Sequence, residues 1–265
     1  MEIKGTYTLE KTLVGKDKIP ALVSFQKQEK PIPAIICLHG WTGNKEGILQ
    51  HCLRMADAGF FTIAIDAQMH GERLDPTFWS KFDDNFPRTF FSVVIKTARD
   101  LTQVVDFLEK RPDDDSSRLG LMGISMGGFI SLVAAHLEKK PKAVASILGA
   151  ADFQLFLSRM ASLKVLPFNQ QLMHQPDDET KRLFKKYDPL NNLEKFPPTA
   201  LLLMGGSQDS IIPHEGITRL YEALKPYYAF NPEKIKLKFY PVGHKYTLEM
   251  ESEVVQWFMK HLEKF

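Results

Sequence analysis

Short apolar runs alternate along this chain with longer segments in which apolar residues recur every three or four positions. A short continuous apolar run bounded by turn residues is typical of a strand buried on both faces, whereas the three-to-four spacing is typical of an amphipathic helix. We therefore predict strands over residues 33–38, 60–65, 118–123, 142–148, 199–204 and 235–240. We predict helices over residues 44–58, 92–110, 129–137, 213–224 and 248–264. This alternation predicts an α/β fold, a mainly parallel central sheet with helices on both faces.

One segment interrupts the alternation. Residues 151–196 contain helical patches but no strand pattern, and they are longer than an ordinary connection between two strands. We predict a single domain over residues 1–265, with a helical lid or cap inserted at about 151–196. In such sheets ligands bind at the carboxyl ends of the strands, so the insert would lie near the site.

Composition limits the choice of partners. The chain has 265 residues, with 34 basic and 32 acidic side chains that are scattered and give a net charge of +2. This balance predicts neither a nucleic acid nor an anionic membrane as a partner. The first eleven residues lack a signal-peptide core, and no apolar run is long enough to cross a bilayer. Cys37 lies in an apolar run and Cys52 in a helical pattern, as expected for buried, reduced thiols. Taken together, these features predict a cytoplasmic protein.

The segment of residues 123–128, Gly-Ile-Ser-Met-Gly-Gly, follows one predicted strand and precedes a helix. A serine between glycines at such a junction is typical of a sharp turn that exposes the hydroxyl, because side chains at the flanking positions would clash with the strand and the helix. This pattern predicts Ser125 as a nucleophile.

A serine hydroxyl is a weak nucleophile, so it needs a base and a group that orients the base. His244 follows the last predicted strand, and Asp209 follows the strand of residues 199–204. Both would therefore lie at the same edge of the sheet as Ser125, in the order serine, aspartate, histidine. Asp152 and Asp188 remain alternative acids, since the first follows a strand and the second begins a turn.

Stabilisation of a tetrahedral oxyanion needs N–H donors beside the serine. Residues 39–43, His-Gly-Trp-Thr-Gly, follow the strand that should neighbour the strand before Ser125. We predict that the main-chain N–H groups of Trp41 and Met126 form this oxyanion hole. The alternative is a strand-to-helix turn with no catalytic part.

The loop after the strand of residues 60–65 carries Asp66, His70 and Arg73. One carboxylate and one histidine lack the third ligand of a catalytic zinc site, so we predict no metal. We expect Asp66 and Arg73 to hold this loop through hydrogen bonds or an ion pair. Glycine patterns of nucleotide-binding loops are absent from the sequence, and no cofactor is predicted.

These motifs resemble the α/β-hydrolase superfamily over essentially the whole chain. The chain is similar to small serine esterases related to dienelactone hydrolases and to the catalytic domains of prolyl oligopeptidases. The resemblance implies Ser125 as nucleophile, His244 as base, Asp209 as its orienting group, and the Trp41 and Met126 amides as oxyanion hole. A dienelactone hydrolase would carry a cysteine in place of Ser125, which argues against that substrate.

The expected function is hydrolysis of a small-molecule carboxylic ester through an acyl-enzyme. The same residues could act on a thioester or a peptide-like amide, or transfer the acyl group, and a relative that binds a ligand without catalysis is a further alternative. Phe156 and Met160 in the insert either pack it onto the main domain or line an acyl pocket over Ser125.

Overall fold

The computed structural model describes residues 6–77, 85–137, 141–163 and 175–262. The strands of these ranges form one eight-stranded sheet. They are β1 (Tyr7–Val14), β2 (Ile19–Gln26), β3 (Ile32–Leu38), β4 (Phe61–Ile65), β5 (Asp114–Ile124), β6 (Ala143–Ile147), β7 (Ala200–Gly206) and β8 (Ile235–Tyr240). The α-helices are α1 (Leu49–Asp57), α2 (Phe86–Leu108), α3 (Met126–Ala135), α4 (Phe153–Ser162), α5 (Asp178–Tyr187), α6 (His214–Leu224) and α7 (Leu248–Leu262).

The strand order is β1-β2-β4-β3-β5-β6-β7-β8. The six strands from β4 to β8 in this order are parallel, and β1 and β2 add an antiparallel edge. The predicted mainly parallel α/β sheet is confirmed. The prediction missed β1 and β2, because β1 is a half-exposed edge strand with no continuous apolar run and Pro20 interrupts the pattern of β2.

Helices cover both faces of the sheet, and successive residues of β3 pack alternately against the helices on the two faces. Ala34, Ile36 and Leu38 belong to one buried cluster, whereas Ile35 and Cys37 belong to the cluster on the other face. The first cluster includes residues of α2, α3 and α6, and the second includes residues of α1 and α7. Both faces of the central strands are therefore buried, which explains their continuous apolar sequences.

Two helices begin five or more residues away from the predicted positions. Helix α2 starts at Phe86 rather than at residue 92, because the Asn85 side chain accepts a hydrogen bond from the Arg88 N–H (3.2 Å) and caps the helix. Helix α1 starts at Leu49 rather than at residue 44, because residues 45–48 form turns. No helix in the described part of the chain is long and apolar enough to cross a membrane.

Between β6 and β7, the described residues of the 151–196 segment form α4, α5 and two short 3-10 turns, Pro189–Asn191 and Leu193–Lys195. Residues 164–174, part of the predicted insert, lie outside the described residues, as do residues 263–264 of the last predicted helix. Helices α4 and α5 both pack on α2. The centroid of the Phe91 ring on α2 lies 4.4 Å from that of Phe153 on α4 and 4.6 Å from that of Phe184 on α5.

Candidate active site

Ser125 lies between the end of β5 and the first residue of α3, at φ 56° and ψ −115°. This conformation is unfavourable for a residue with a side chain, and it persists because neighbouring hydrogen bonds hold it. The Ser125 N–H donates to the Ile147 carbonyl (2.8 Å), and the Ser125 carbonyl accepts from the Gly128 N–H (2.8 Å). The turn is thus tied to β6 on one side and to its own helix on the other.

The glycines around Ser125 are required by close backbone contacts. A Cβ on Gly123 would lie 2.0 Å from the Gly127 oxygen, and a Cβ on Gly127 would lie 2.1 Å from the Leu38 oxygen. Only glycine allows strand and helix to approach this closely. The sequence pattern around Ser125 therefore has a steric cause.

Three side chains form a continuous hydrogen-bonded chain. His244 Nε2 lies 2.9 Å from Ser125 Oγ, and His244 Nδ1 lies 2.7 Å from Asp209 Oδ2. Asp209 Oδ1 accepts hydrogen bonds from the N–H groups of Ile211 (2.9 Å) and Ile212 (3.0 Å). Ser125, Asp209 and His244 follow the parallel strands β5, β7 and β8, so one edge of the sheet brings together residues up to 119 positions apart.

The electrostatics of Asp209 favour a carboxylate. Burial opposes ionisation, but the hydrogen bonds from His244 and the Ile212 N–H hold the pKa of the Asp209 carboxyl below its ordinary value. An ionised Asp209 accepts the Nδ1 proton of His244, which leaves Nε2 as the acceptor for the Ser125 hydroxyl.

The two alternative acids have other partners. Asp152 caps α4 by accepting the Leu155 N–H (2.9 Å) and forms an ion pair with Arg219. Asp188 accepts the Phe153 N–H (2.7 Å), and burial raises its pKa above the ordinary value. Of the three candidates, the structure brings only Asp209 to His244.

The loop of residues 39–44 lies directly beside Ser125. A Cβ built on Gly40 would approach the Ser125 Cβ to 3.5 Å. The contact follows from the register, because Leu38 pairs with Gly123 on adjacent strands. Trp41 is the next residue of the loop, and Met126 is the first residue of α3, where N–H groups have no partner within the helix.

His39 links this loop to the loop after β4. Its Nδ1–H donates to the Gly40 carbonyl (2.8 Å), and its Nε2 accepts the Ala67 N–H (3.1 Å). Burial lowers the pKa of His39 to about 4, so the ring is neutral at pH 7 and can both donate and accept. Sequence reasoning missed this role, although the position of His39 next to a glycine at a strand end is a signal that could have found it.

A buried lysine gives the same loop a second attachment. Lys45 is 1% exposed, and its Nζ lies 2.8 Å from the fully buried Asp66 carboxylate. The Lys45 N–H also donates to Asp66 (2.9 Å), and Glu46 and Glu72 complete the ring of carboxylates. Although burial opposes its charge, the hydrogen bonds to Asp66, Glu72 and Glu46 raise the pKa of Lys45. Nothing in the sequence pattern marks this lysine as buried.

The expected link between Asp66 and Arg73 is present as a hydrogen bond rather than as an ion pair. Arg73 donates to the main-chain oxygen of Asp66 (3.2 Å) and forms its ion pair with Asp100 (2.8 Å), because the Asp66 carboxylate is occupied by Lys45. Among the described residues, no group of three or more histidine, cysteine or acidic side chains could hold a metal ion.

The two insert residues differ in exposure. Phe156 is 3% exposed, and its ring packs against those of Phe129 (4.9 Å) and Phe90 (5.4 Å). This packing matches the alternative in which the insert is attached to the main domain. Met160 lies one turn further along α4 and is only partly buried against the same cluster.

Comparisons with known proteins place the chain among relatives of similar length. Residues 94–264 match the model of the prolyl oligopeptidase family. YitV of Bacillus subtilis (strain 168) is 24% identical over 247 residues, which cover 91% of this chain and 94% of YitV. Esterase YjfP of Escherichia coli (strain K12) is also 24% identical over 247 residues, with 92% and 96% covered.

Among solved structures, TT1662 from Thermus thermophilus superposes with a TM-score of 0.79 at 23% identity, covering 98% of this chain and 100% of that one. The eight-stranded, mostly parallel sheet is thus shared with these structures. By the family match and the shared fold, the chain belongs to the prolyl oligopeptidase family of α/β-hydrolases.

Proposed function

We propose that the protein is a serine esterase that hydrolyses small-molecule carboxylic esters. The observation that carries this proposal is the unbroken hydrogen-bonded chain from Ser125 through His244 to Asp209, at 2.9 and 2.7 Å. These distances are short enough for proton transfer between the hydroxyl and the imidazole. The relationship to Esterase YjfP supports the same class of reaction.

In the first half of the reaction, Ser125 Oγ attacks the ester carbonyl carbon while His244 Nε2 takes the hydroxyl proton. Asp209 keeps the His244 ring in the required tautomer and stabilises the imidazolium. The carbonyl oxygen becomes an oxyanion beside the loop of residues 39–44. The bond to the alcohol then breaks, His244 gives its proton to the leaving oxygen, and the acyl group remains on Ser125.

In the second half, a water molecule gives a proton to His244 Nε2 and attacks the acyl carbon. The second tetrahedral intermediate breaks its bond to Ser125 Oγ, which takes the proton back. The products are the carboxylic acid and free Ser125.

We assign the oxyanion hole to the N–H groups of Trp41 and Met126. The proximity of Gly40 to Ser125 and the position of Met126 at the first turn of α3 support this assignment. One such donor is worth roughly 3 kcal/mol of transition-state stabilisation. His39 and Lys45 do not touch the substrate in this scheme. They position the loop through their bonds to Ala67 and Asp66.

The acyl group would extend towards the 151–196 segment, which we propose to be a cap. Helix α4 carries Met160 on the face of the aromatic cluster, and its partial burial leaves part of the side chain accessible. Met160→Ala should shift the preference among p-nitrophenyl esters towards longer acyl chains. An unchanged chain-length profile would remove Met160 from the pocket.

Cys37 and Cys52 are both free and buried. Thiols persist in reducing compartments, which supports a cytoplasmic location.

The central test is Ser125→Ala assayed with p-nitrophenyl acetate, with Ser252→Ala as a matched control at an exposed helix position. Turnover should fall by several orders of magnitude in the first variant only. A fluorophosphonate should label the wild type at Ser125. Near-wild-type turnover by Ser125→Ala would refute the mechanism, and a folded wild type that resists labelling would favour the non-catalytic alternative.

Thioesters, amides and acyl transfer use the same residues, so a substrate panel is needed to separate them from ester hydrolysis. Acetyl thioesters, aminoacyl anilides and alcohol acceptors should each react more slowly than the matched oxygen ester in water. A faster reaction with any of them would replace the ester in the proposal.

A further inference from the structure

A cavity of about 200 Å³ lies against the loop of residues 39–44. Its walls include Gly40, Ile124 and Ile48, together with the polar side chains of Thr42, Asn44 and His51. None of these polar side chains has a part in the mechanism above.

The cavity adjoins the reacting groups. Ile124 directly precedes the nucleophile, and Gly40 lies beside it, close enough that a Cβ at Gly40 would be 3.5 Å from the Ser125 Cβ. On the opposite wall, the His51 ring lies 4.9 Å from the ring of Tyr246, two residues after His244. The cavity is thus bounded by the end of the strand that leads to the nucleophile, and its wall residue His51 contacts the loop that carries the base.

The side on which the cavity lies identifies the part of the substrate it would hold. The leaving alcohol takes its proton from His244 and must lie on the His244 side of Ser125. The insert lies on the other face of the sheet, since Phe156 of α4 belongs to one buried cluster, whereas Ile48 of the cavity wall belongs to the other, against which Tyr246 packs. We propose, on the basis of the function above, that this cavity is the subsite for the leaving alcohol, and that the alcohol is a compact polyol or monosaccharide.

The size of the cavity favours a small group. Pockets for drug-sized ligands span about 300–1,000 Å³, so a cavity of about 200 Å³ suits an alcohol of one small ring or less.

The polar groups favour hydroxyls. Asn44 uses its carbonyl oxygen to accept the Gly47 N–H (2.7 Å), which directs its amide nitrogen elsewhere as a donor. His51 is held in place because its Nδ1 lies 2.6 Å from the Glu251 carboxylate, itself 4% exposed and paired with Arg54 (2.7 Å). The other ring nitrogen of His51, Nε2, lies 3.3 Å from the exposed Gln50 amide nitrogen, a partner that an alcohol hydroxyl can replace. The imidazole, the Asn44 amide and the Thr42 hydroxyl can then bind several hydroxyl groups of one alcohol.

The test keeps the acyl group constant and varies the alcohol. Initial rates with ethyl acetate, cyclohexyl acetate and 6-O-acetylglucose give kcat/KM in a pH-stat assay. The alcohols released from cyclohexyl acetate and 6-O-acetylglucose both contain a six-membered ring, but only glucose carries several hydroxyl groups. The variants are His51→Ala, which removes a polar wall, and Gly47→Leu, which narrows the cavity.

His261→Ala is the matched control. His261 packs on Trp257 (4.2 Å), which borders the start of β8 at the opposite end of the sheet.

The wild type and His261→Ala should prefer acetylglucose to cyclohexyl acetate. His51→Ala should lower that ratio about tenfold, as expected for the loss of one hydrogen bond. Gly47→Leu should lower kcat/KM for both ring esters about tenfold relative to ethyl acetate, because the narrowed cavity excludes them.

If ethyl acetate is hydrolysed but His51→Ala and Gly47→Leu keep the wild-type ratios of kcat/KM among the three esters, the cavity is not the subsite for the alcohol. The esterase proposal would stand in that case. A wild type that prefers cyclohexyl acetate refutes the polyol assignment. A wild type that hydrolyses none of the three acetates refutes the proposed function and this inference together.

Discussion

Lys45→Met tests whether the buried ion pair holds the loop of residues 39–44. The substitution keeps most of the volume and removes the ammonium group. Asp66 would remain fully buried with its charge uncompensated. We expect a large loss of stability from this single change.

The magnitude follows from the contacts. Removing one partner of a buried ion pair costs about 3–5 kcal/mol. Asp66 would keep the N–H donors of residue 45 (2.9 Å) and Glu72 (3.0 Å), so we expect the lower end, about 3 kcal/mol. For a chain of this size that loss corresponds to a melting temperature lower by roughly 10 °C.

Lys11→Met is the matched control. Lys11 contacts two of the acids that also surround Lys45, namely Glu46 (3.1 Å) and Glu72 (3.5 Å), but the Lys11 side chain is 65% exposed. Exposed ion pairs contribute about 1 kcal/mol or less. Urea unfolding followed by circular dichroism gives the free energy of unfolding of each variant. If Lys45→Met loses no more than Lys11→Met, the buried pair does not stabilise the loop as argued.

Three further predictions concern other parts of the chain. Asp209→Asn should lower kcat for p-nitrophenyl acetate about 10³–10⁴-fold, because His244 loses the acceptor for its Nδ1 proton, whereas Asp152→Asn should retain nearly full turnover; equal losses would contradict the assignment of Asp209. Ser125→Gly should be about 1 kcal/mol more stable to urea than Ser125→Ala, because glycine relieves the strain at φ 56°; an equally stable alanine variant would argue against strain. Burial raises the pKa of the Asp114 carboxyl to about 7, with Arg111 opposing the rise and Asp113 and Asp115 adding to it. Unfolding therefore becomes easier as the pH rises from about 4 towards 7, and Asp114→Asn should be about 1–2 kcal/mol more stable than wild type at pH 8 and equal to it near pH 4. A difference independent of pH would refute this.

The central strands could be predicted from the sequence because each is buried on both faces and leaves a continuous apolar run. The edge pair β1 and β2 could not, because the exposed side of β1 is compatible with a polar sequence. The start of α2 depends on a cap by Asn85, a local signal that periodicity does not detect.

For the site, residue type and chain order were sufficient to propose Ser125 and His244 and to put forward Asp209 among three candidate acids, and the structure brings Ser125, Asp209 and His244 together. The role of Lys45 could not be predicted, since a lysine between polar residues in a turn is normally exposed. Its burial depends on three carboxylates, two of which come from a distant part of the chain.

The sequence by itself determined the parallel α/β sheet and the sharp turn at Ser125, because both depend on local rules: apolar runs for buried strands, and glycines where backbone contacts exclude a Cβ. Only the tertiary structure decided which aspartate reaches His244, how His39 and Lys45 hold the adjacent loop, and that a polar cavity lies beside Ser125. These features depend on distances between residues far apart in the chain, and such distances are set by strand order and packing rather than by any local pattern.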